Sequence, residues 1–178
     1  MKIETQRLFI RSLTTGDVPL YAVIVSDPDV TRFLGDGSTH SRKKAEGYVK
    51  SNIESEKALG LARYAVVHKA SGTFIGICGF KKMENYTDLG WRFNPRFWGK
   101  GYATEAASAV LNYGINVLEL TDIVVSVATA NIRSFKVAKK LGSKFLEPQK
   151  SDMQGIVKFS QVAPNNKTKK DAASRAYC

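Results

Sequence analysis

Apolar positions change their spacing several times along the chain, and each change marks a new element. The run "LFIRSL" at residues 8–13 reads as a first strand, and "TTGD" behind it carries turn and helix-start chemistry before an apolar segment that reaches "DPDV". Ser41 opens a second helix, with Ala45, Tyr48, Val49 and Ile53 at helical spacing on one side and Lys44, Glu46, Lys50 and Glu54 elsewhere. "ARYAVVH" and "TFIGICGF" are strand runs joined by "KASG", a hairpin signal with Gly72 at the tight position. "TDLGWRF" follows the turn "KKMENY" and completes an antiparallel meander.

Beyond the meander the period lengthens. Ala103, Ala106, Ala107, Val110, Leu111, Gly114, Val117 and Leu118 recur at the spacing of a buried helix face over residues 102–118, while Thr104, Glu105, Ser108, Asn112 and Asn116 take the other side. "DIVVSVA" is a buried strand, and Asn131 starts a helix that turns Val137, Ala138 and Leu141 inward and stops at Gly142. "GIVKFSQV" is the last strand. A strand–helix–strand unit with a crossover of this length favours a parallel pair, so the sheet is expected to be mixed.

Composition narrows the class. A chain of 178 residues suits one domain, and 43% hydrophobic with 24% charged residues is ordinary for a globular protein. The reading assigns the domain to residues 1–163 and a basic disordered tail to 164–178. No apolar stretch approaches the roughly 18 residues of a membrane span, and "MKIETQRLFIRS" has no signal-peptide apolar region, so a cytoplasmic protein is expected. Cys78 and Cys178 lack metal-ligand spacing, and His40 and His68 are isolated. The net charge of +11 is mostly domain-wide, because the tail accounts for +3 of it. Such a balance suits nucleic acid, a phosphate-rich cofactor or an acidic protein partner equally.

The stretch "RFWGKGYATEA" narrows the choice further. It places Gly99 and Gly101 directly before a helix start, where N–H groups without intrahelical partners and the positive end of the dipole favour anions. A Walker P-loop is absent, and "GKGYAT" has Thr104 where a dinucleotide-binding loop needs its third glycine. The pattern R-x-x-G-x-G-x-A, as Arg96, Gly99, Gly101 and Ala103, resembles the acetyl-CoA pyrophosphate loop of the GNAT N-acetyltransferases. "TQRLFIRSL", "LGWRFNPRFWGKGYATEA" and "VATANIRSFKVAKKLGSKF" extend the resemblance over roughly residues 3–162, closest to the RimJ/RimL-like branch that acetylates ribosomal-protein N-termini.

The resemblance implies an α+β fold: a twisted, mixed, mostly antiparallel sheet of about six to seven strands flanked by helices, with acetyl-CoA in the cleft between two splayed strands. It implies that backbone near Trp91, Arg92 and Phe93 pairs with pantetheine, and that N–H groups from Trp98 through Gly99, Lys100, Gly101, Tyr102 and Ala103 to Thr104 hold the diphosphate, with Arg96 and Lys100 adding charge. Asn131 and Ser134 match the segment beside pantetheine and the thioester, and Lys136 or Lys139 reaches toward the nucleotide. Simpler roles coexist with these: Asn131 as an N-cap, Trp91 and Trp98 as core or rim aromatics, and Arg92, Arg96 and Lys100 as a solvated basic face.

The implied chemistry is direct attack of a neutral amine on the thioester, with a strand N–H near Phe93 holding the oxyanion. A model α-amino group titrates near 7.7–8.0 and a lysine near 10.4, so freeing a lysine costs roughly 3.5 kcal/mol more. Asp88 in "DLGW" stands where relatives often carry a glutamate base; either its shorter side chain works through a water, or it simply belongs to the strand edge or the preceding turn. The usual tyrosine acid is replaced by Phe135, which leaves Ser134 to assist the departing thiolate. The expected acceptor is a protein N-terminus, acidic by the charge argument, or a small-molecule amine. Neither a metal, a membrane nor nucleic acid is required, and a monomer or a homodimer is expected. The alternative is an acyl-CoA-binding or ribosome-associated protein without turnover.

Overall fold

The computed structural model describes residues 1–146 and 155–162; the predicted tail at 164–178, with Cys178, lies outside them. In chain order the elements are β1 (Lys2–Glu4), β2 (Leu8–Arg11), α1 (Val18–Val25), α2 (Pro28–Thr31), α3 (Arg42–Leu59), β3 (Arg63–His68), β4 (Thr73–Lys82), β5 (Thr87–Phe93), α4 (Tyr102–Asn116), β6 (Asp122–Ala128), α5 (Ile132–Lys140), β7 (Lys144–Leu146) and β8 (Ile156–Val162). They form one eight-stranded sheet in the order β1-β2-β3-β4-β5-β6-β8-β7. Every neighbouring pair is antiparallel except β5 with β6.

Eight strands exceed the six to seven expected, because β1 and β7 are three-residue edge strands too short to show a period. The first strand also stops at Arg11, where the chain turns into a 3-10 turn at Thr15–Asp17. The long helix ends at Asn116, two residues before its apolar pattern does. Ser41 caps α3 through a hydrogen bond from Lys44 N–H at 3.2 Å, and Gly60 closes that helix in the left-handed conformation.

Two apolar clusters sit on opposite faces of the sheet. On one face Ala106, Ala107, Val110 and Leu111 of α4 pack against Leu8, Val66, Phe80, Leu89, Phe93 and Val125 of the strands. On the other, Tyr21, Ile24 and Val25 of α1 and Ala45 and Val49 of α3 cover Ala65, Phe74 and Ile77. β4 is buried along its middle seven residues, as a strand covered on both faces must be. Gly114 allows the close helix–sheet approach, since a Cβ there would lie 2.3 Å from the Phe80 ring.

Candidate active site

The site begins where the sheet comes apart. β5 pairs with β4 along its whole length, but its parallel pairing with β6 holds only at Thr87 with Ile123 and Asp88 with Val124. From Leu89 onward the two strands diverge. Asn94 N–H donates to the Ile75 carbonyl on β4 at 2.9 Å, so the alternation of an extended strand turns the N–H groups of Phe93 and Trp91 toward the gap. A cleft of about 1160 Å³ runs through this gap, walled by Trp91 and Phe93 on one side and by Val125, Val127, Asn131 and Ser134 on the other.

The loop that closes one end of the cleft is built by local hydrogen bonds. Asn94 Oδ1 accepts from Arg96 N–H at 3.0 Å and starts a 3-10 turn at Pro95–Phe97, and Trp98 Nε1 donates to the Phe93 carbonyl at 2.8 Å. Gly99 and Gly101 then take φ of 75° and 83°, a region costly for any residue with a Cβ. Gly101 is the N-cap of α4 and supplies no capping side chain, so the first N–H groups of that helix stay available to an anion.

Arg7, which sequence reasoning missed, braces this loop from the corner just before β2. Its Nε meets Glu105 Oε2 at 2.6 Å, its Nη1 donates to the Lys100 carbonyl at 2.9 Å, and its guanidinium lies 4.5 Å from the Tyr102 ring centroid. Glu105 also accepts from Thr5 Oγ1 at 2.6 Å and from Arg7 N–H at 2.8 Å. Burial raises the Glu105 carboxyl, but the bonds from Thr5 and Arg7 outweigh it and hold the group below its ordinary range. The carboxylate is thereby turned to the β1–β2 corner instead of the first N–H groups of α4. Tyr102 continues the brace outward, with its hydroxyl 3.1 Å from His68 Nε2.

The residues predicted for the site divide into groups. Trp91, Arg92, Phe93, Trp98, Gly99, Gly101, Tyr102, Ala103 and Thr104 line the cleft from the β5–α4 side. Asn131, Ser134 and Lys136 line it from α5. Arg96 and Lys100 are exposed beside it and outside its lining, with the Lys100 ammonium 5.7 Å from the Phe97 centroid. Asn131 is also an N-cap, its side chain accepting from Ser134 N–H at 3.1 Å. Phe135 turns away and packs on Phe159, with Lys139 over its ring, which leaves Lys136 as the member of the Lys136/Lys139 pair that faces the cleft. Arg133, a second missed residue, stacks over Trp98 at 4.8 Å and links α5 to the loop across the cleft.

On the other face of β5, Asp88 is held by Arg63 of β3: Nη2 bonds Asp88 Oδ2, while Nη1 bonds the carbonyls of Gly79 and Asp88. Among the described residues Asp88 Oδ1 has no hydrogen-bond partner, and Asp88 lines the cleft. Gly90 makes room for this arrangement, because a Cβ there would sit 2.9 Å from the Arg63 guanidinium carbon. Arg92 points to the same face, bonding the Tyr21 hydroxyl and stacking 5.2 Å from the Tyr48 centroid. Cys78 is fully buried, and burial pushes its thiol up to about 12, so it is no nucleophile. Among the described residues no His, Cys, Asp or Glu group is placed to hold a metal ion, and no helix is long and apolar enough to cross a membrane.

A family model described as an acetyltransferase (GNAT) domain matches residues 7–144. The chain belongs to the GNAT acetyltransferase family. The GNAT relative YnaD of Bacillus subtilis (strain 168), an uncharacterized N-acetyltransferase, is 32% identical over 146 residues, covering 81% of this chain and 83% of its own. The crystal structure of a GNAT-family acetyltransferase from Bacillus anthracis superposes with a TM-score of 0.80 at 24% identity, covering 92% of this chain and 99% of that one. RimL, a ribosomal L7/L12 alpha-N-protein acetyltransferase solved with coenzyme A, shares the fold with a TM-score of 0.79 at 15% identity, covering 91% and 98%. As a GNAT protein the chain is an acyltransferase, and the family uses acetyl-CoA as its acyl donor. The free β5 edge, the cleft volume and the uncapped, glycine-led start of α4 suit an extended thiol arm ending in a diphosphate.

Proposed function

We propose that this GNAT protein transfers the acetyl group of acetyl-CoA to a primary amine, with a protein N-terminal α-amino group as the favoured acceptor and a small-molecule amine as the second class. The observation that carries the reading is the parting of β5 and β6 immediately after Asp88, beside a helix whose first N–H groups are uncapped. Bound acetyl-CoA supplies a thioester whose C–S bond is exchanged for a C–N bond to the amine, the amine proton passing to the released thiolate.

The chain's own groups then have distinct tasks. Trp91 and Phe93 N–H groups face the gap and are positioned to hold the pantetheine arm and the acyl oxygen. Gly99, Gly101, Tyr102, Ala103 and Thr104 bind the diphosphate through backbone N–H groups, and Arg96, Lys100 and Lys136 add positive charge nearby. Asp88, fixed through Oδ2, offers Oδ1 to the incoming ammonium or to a water that takes its proton. Ser134, whose backbone N–H is bonded by the Asn131 side chain at the start of α5, donates a hydrogen bond from its hydroxyl to the leaving sulfur in this reading. An α-amino group, partly neutral near pH 8, asks less of such a carboxylate than a lysine does. The fold shared with RimL supports the N-terminal choice, and the domain is assigned to the cytoplasm, as a monomer or homodimer.

The test follows CoA thiol release with N-terminal peptides, polyamines and aminoglycosides. Release with α-amino peptides above the other amines is the expected result. Measurable acetyl-CoA binding with no release for any amine would refute turnover.

A further inference from the structure

Alternation along β5 gives the cleft two faces. Leu89, Trp91 and Phe93 pack toward the α4 cluster, whereas Asp88 and Arg92 point the other way, Asp88 to Arg63 and Arg92 to Tyr21 and Tyr48. On the Asp88 face the cleft is lined by Phe33 and Leu34 from the segment after α2, by Tyr48 of α3, and by Met83 and Tyr86 from the turn before β5. Tyr86 lies two positions before Asp88, with its carbonyl bonded by Met83 N–H at 2.9 Å. Phe33 and Leu34 border Arg92 in an adjoining cavity, and Tyr48 stacks on the same guanidinium, which places all three beside this face of the strand.

Phe33, Leu34, Met83 and Tyr86 belong to neither apolar cluster of the fold, and each stays partly exposed. Large apolar side chains that face a cleft without joining a core mark a binding surface. The surface adjoins one open carboxylate oxygen: the Asp88 side chain is 17% exposed, Arg63 occupies its Oδ2, and Oδ1 has no partner among the described residues. Asp29, the other described carboxylate that lines the cleft, is paired with Arg32. Cations stand at the edge of the apolar wall, with Lys81 opposite Asp88 in the β4–β5 register and the Lys158 ammonium 5.2 Å from the Tyr86 centroid. The wall therefore suits one ammonium at Asp88 with an uncharged apolar group beside it. A second ammonium would meet Lys81, Lys158 and Arg32, and a carboxylate would lose water against apolar side chains.

We propose that this wall is the pocket for the acceptor's first side chain: the α-amino group acetylated by this protein belongs to a peptide whose N-terminal residue is large and apolar, such as Phe, Leu or Met. That side chain rests against Phe33, Leu34, Met83 and Tyr86 while the amine meets Asp88 Oδ1. The inference rests on the acetyl-transfer reading and specifies its acceptor. A peptide α-amino group fits a carboxylate with one oxygen already bonded, because it gives up its proton at lower pH than an alkylamine does.

The test uses the full chain loaded with CoA and measures binding of N-acetyl-X-Ala-Ala amides by titration calorimetry, with X as Phe, Ser, Lys or Glu. The Phe member is expected to bind about ten- to a hundredfold more tightly than the Ser member, the range that burial of a side chain of that size gives, and the Lys and Glu members no more tightly than Ser. Phe33→Ala should bring the Phe and Ser members within a few-fold of each other. Met83→Ala, on a separate segment, should lower the preference several-fold. Both variants should keep the wild-type circular dichroism spectrum and acetyl-CoA affinity. Equal affinities for Phe and Ser, a Lys or Glu member that binds as tightly as Phe, or a preference undiminished in both variants overturns the pocket while leaving acetyl transfer intact. CoA release faster with 2-phenylethylamine than with Phe-Ala-Ala amide overturns the peptide as occupant. A Phe preference in binding without CoA release from any of the corresponding amines keeps the pocket and refutes the transferase reading.

Discussion

Replacing Arg7 with Met keeps the aliphatic stem and removes the guanidinium that braces the glycine loop. The lost interactions can be added from the structure. The Arg7 side chain is 40% exposed, so its bond to Glu105 contributes about 1 kcal/mol, the bond to the Lys100 carbonyl about 1 kcal/mol, and stacking on Tyr102 about 0.5–1 kcal/mol. Roughly 2–3 kcal/mol of ordering is therefore withdrawn from the segment between Trp98 and Glu105. The bonds from Thr5 and from Arg7 N–H to Glu105 survive the substitution, and so does the anchor from Trp98 to Phe93, so the loop loosens without being released. Acetyl-CoA affinity should fall about tenfold, because only the fraction of molecules with the loop in place binds at full strength. Thermal midpoint should drop by roughly 4–12 °C for a chain of this size. Calorimetric titration with acetyl-CoA and a melting curve measure both. A Kd within twofold of wild type, with the midpoint lowered as expected, would show that the brace stabilises the fold without shaping the cofactor loop.

Other predictions follow from the same geometry. Gly101→Glu puts a Cβ into a φ of 83° and a second anion at the helix start; acetyl-CoA binding should be lost with the circular dichroism spectrum unchanged, and retained affinity would sink the loop assignment. Arg63→Met leaves the Asp88 carboxylate partly buried without its partner and should lower stability by about 3–5 kcal/mol in denaturant titration, with Asp88→Asn in the same chain restoring part of it; additive losses would refute the pairing. For Asp17, burial raises the carboxyl, but bonds from Arg11 and Thr14 outweigh it, and Glu105 is likewise held low, so both groups are lower in the folded chain than their ordinary 3.8 and 4.5. Their stabilisation is present above those ordinary values and is lost as pH falls through the lower folded ones. The thermal midpoint should therefore decline steadily below about pH 4.5, and Asp17→Asn should flatten the decline; an unchanged slope in that variant would contradict the assignment.

The residues that recur with a period were legible. Ala106, Ala107, Val110 and Leu111 declared the inner face of α4, and the glycines at 99 and 101 declared a helix start without a capping side chain. The parting of β5 from β6 came only with the family resemblance, since "TDLGWRF" reads as a strand whether or not its neighbour stays beside it. Arg7, Arg63 and Arg133 carried no local signal. Arg7 meets a partner 98 positions away, and Arg63 one that is 25 away, so only the folded sheet shows why a strand of apolar residues begins with a buried arginine. The edge strands β1 and β7 escaped for the opposite reason, being too short to leave a pattern.

The two residue pairs joining β5 to β6 also have a mechanical meaning. Five strands on one side and three on the other are stitched together by a seam at Thr87–Ile123 and Asp88–Val124, with α4 contacting α5 across it and Arg133 resting on Trp98 at the open end. A sheet parted in this way has its open end spanned, among the described residues, only by helix packing and a cation–π contact, so an extended chain lying in the gap would interrupt no backbone ladder.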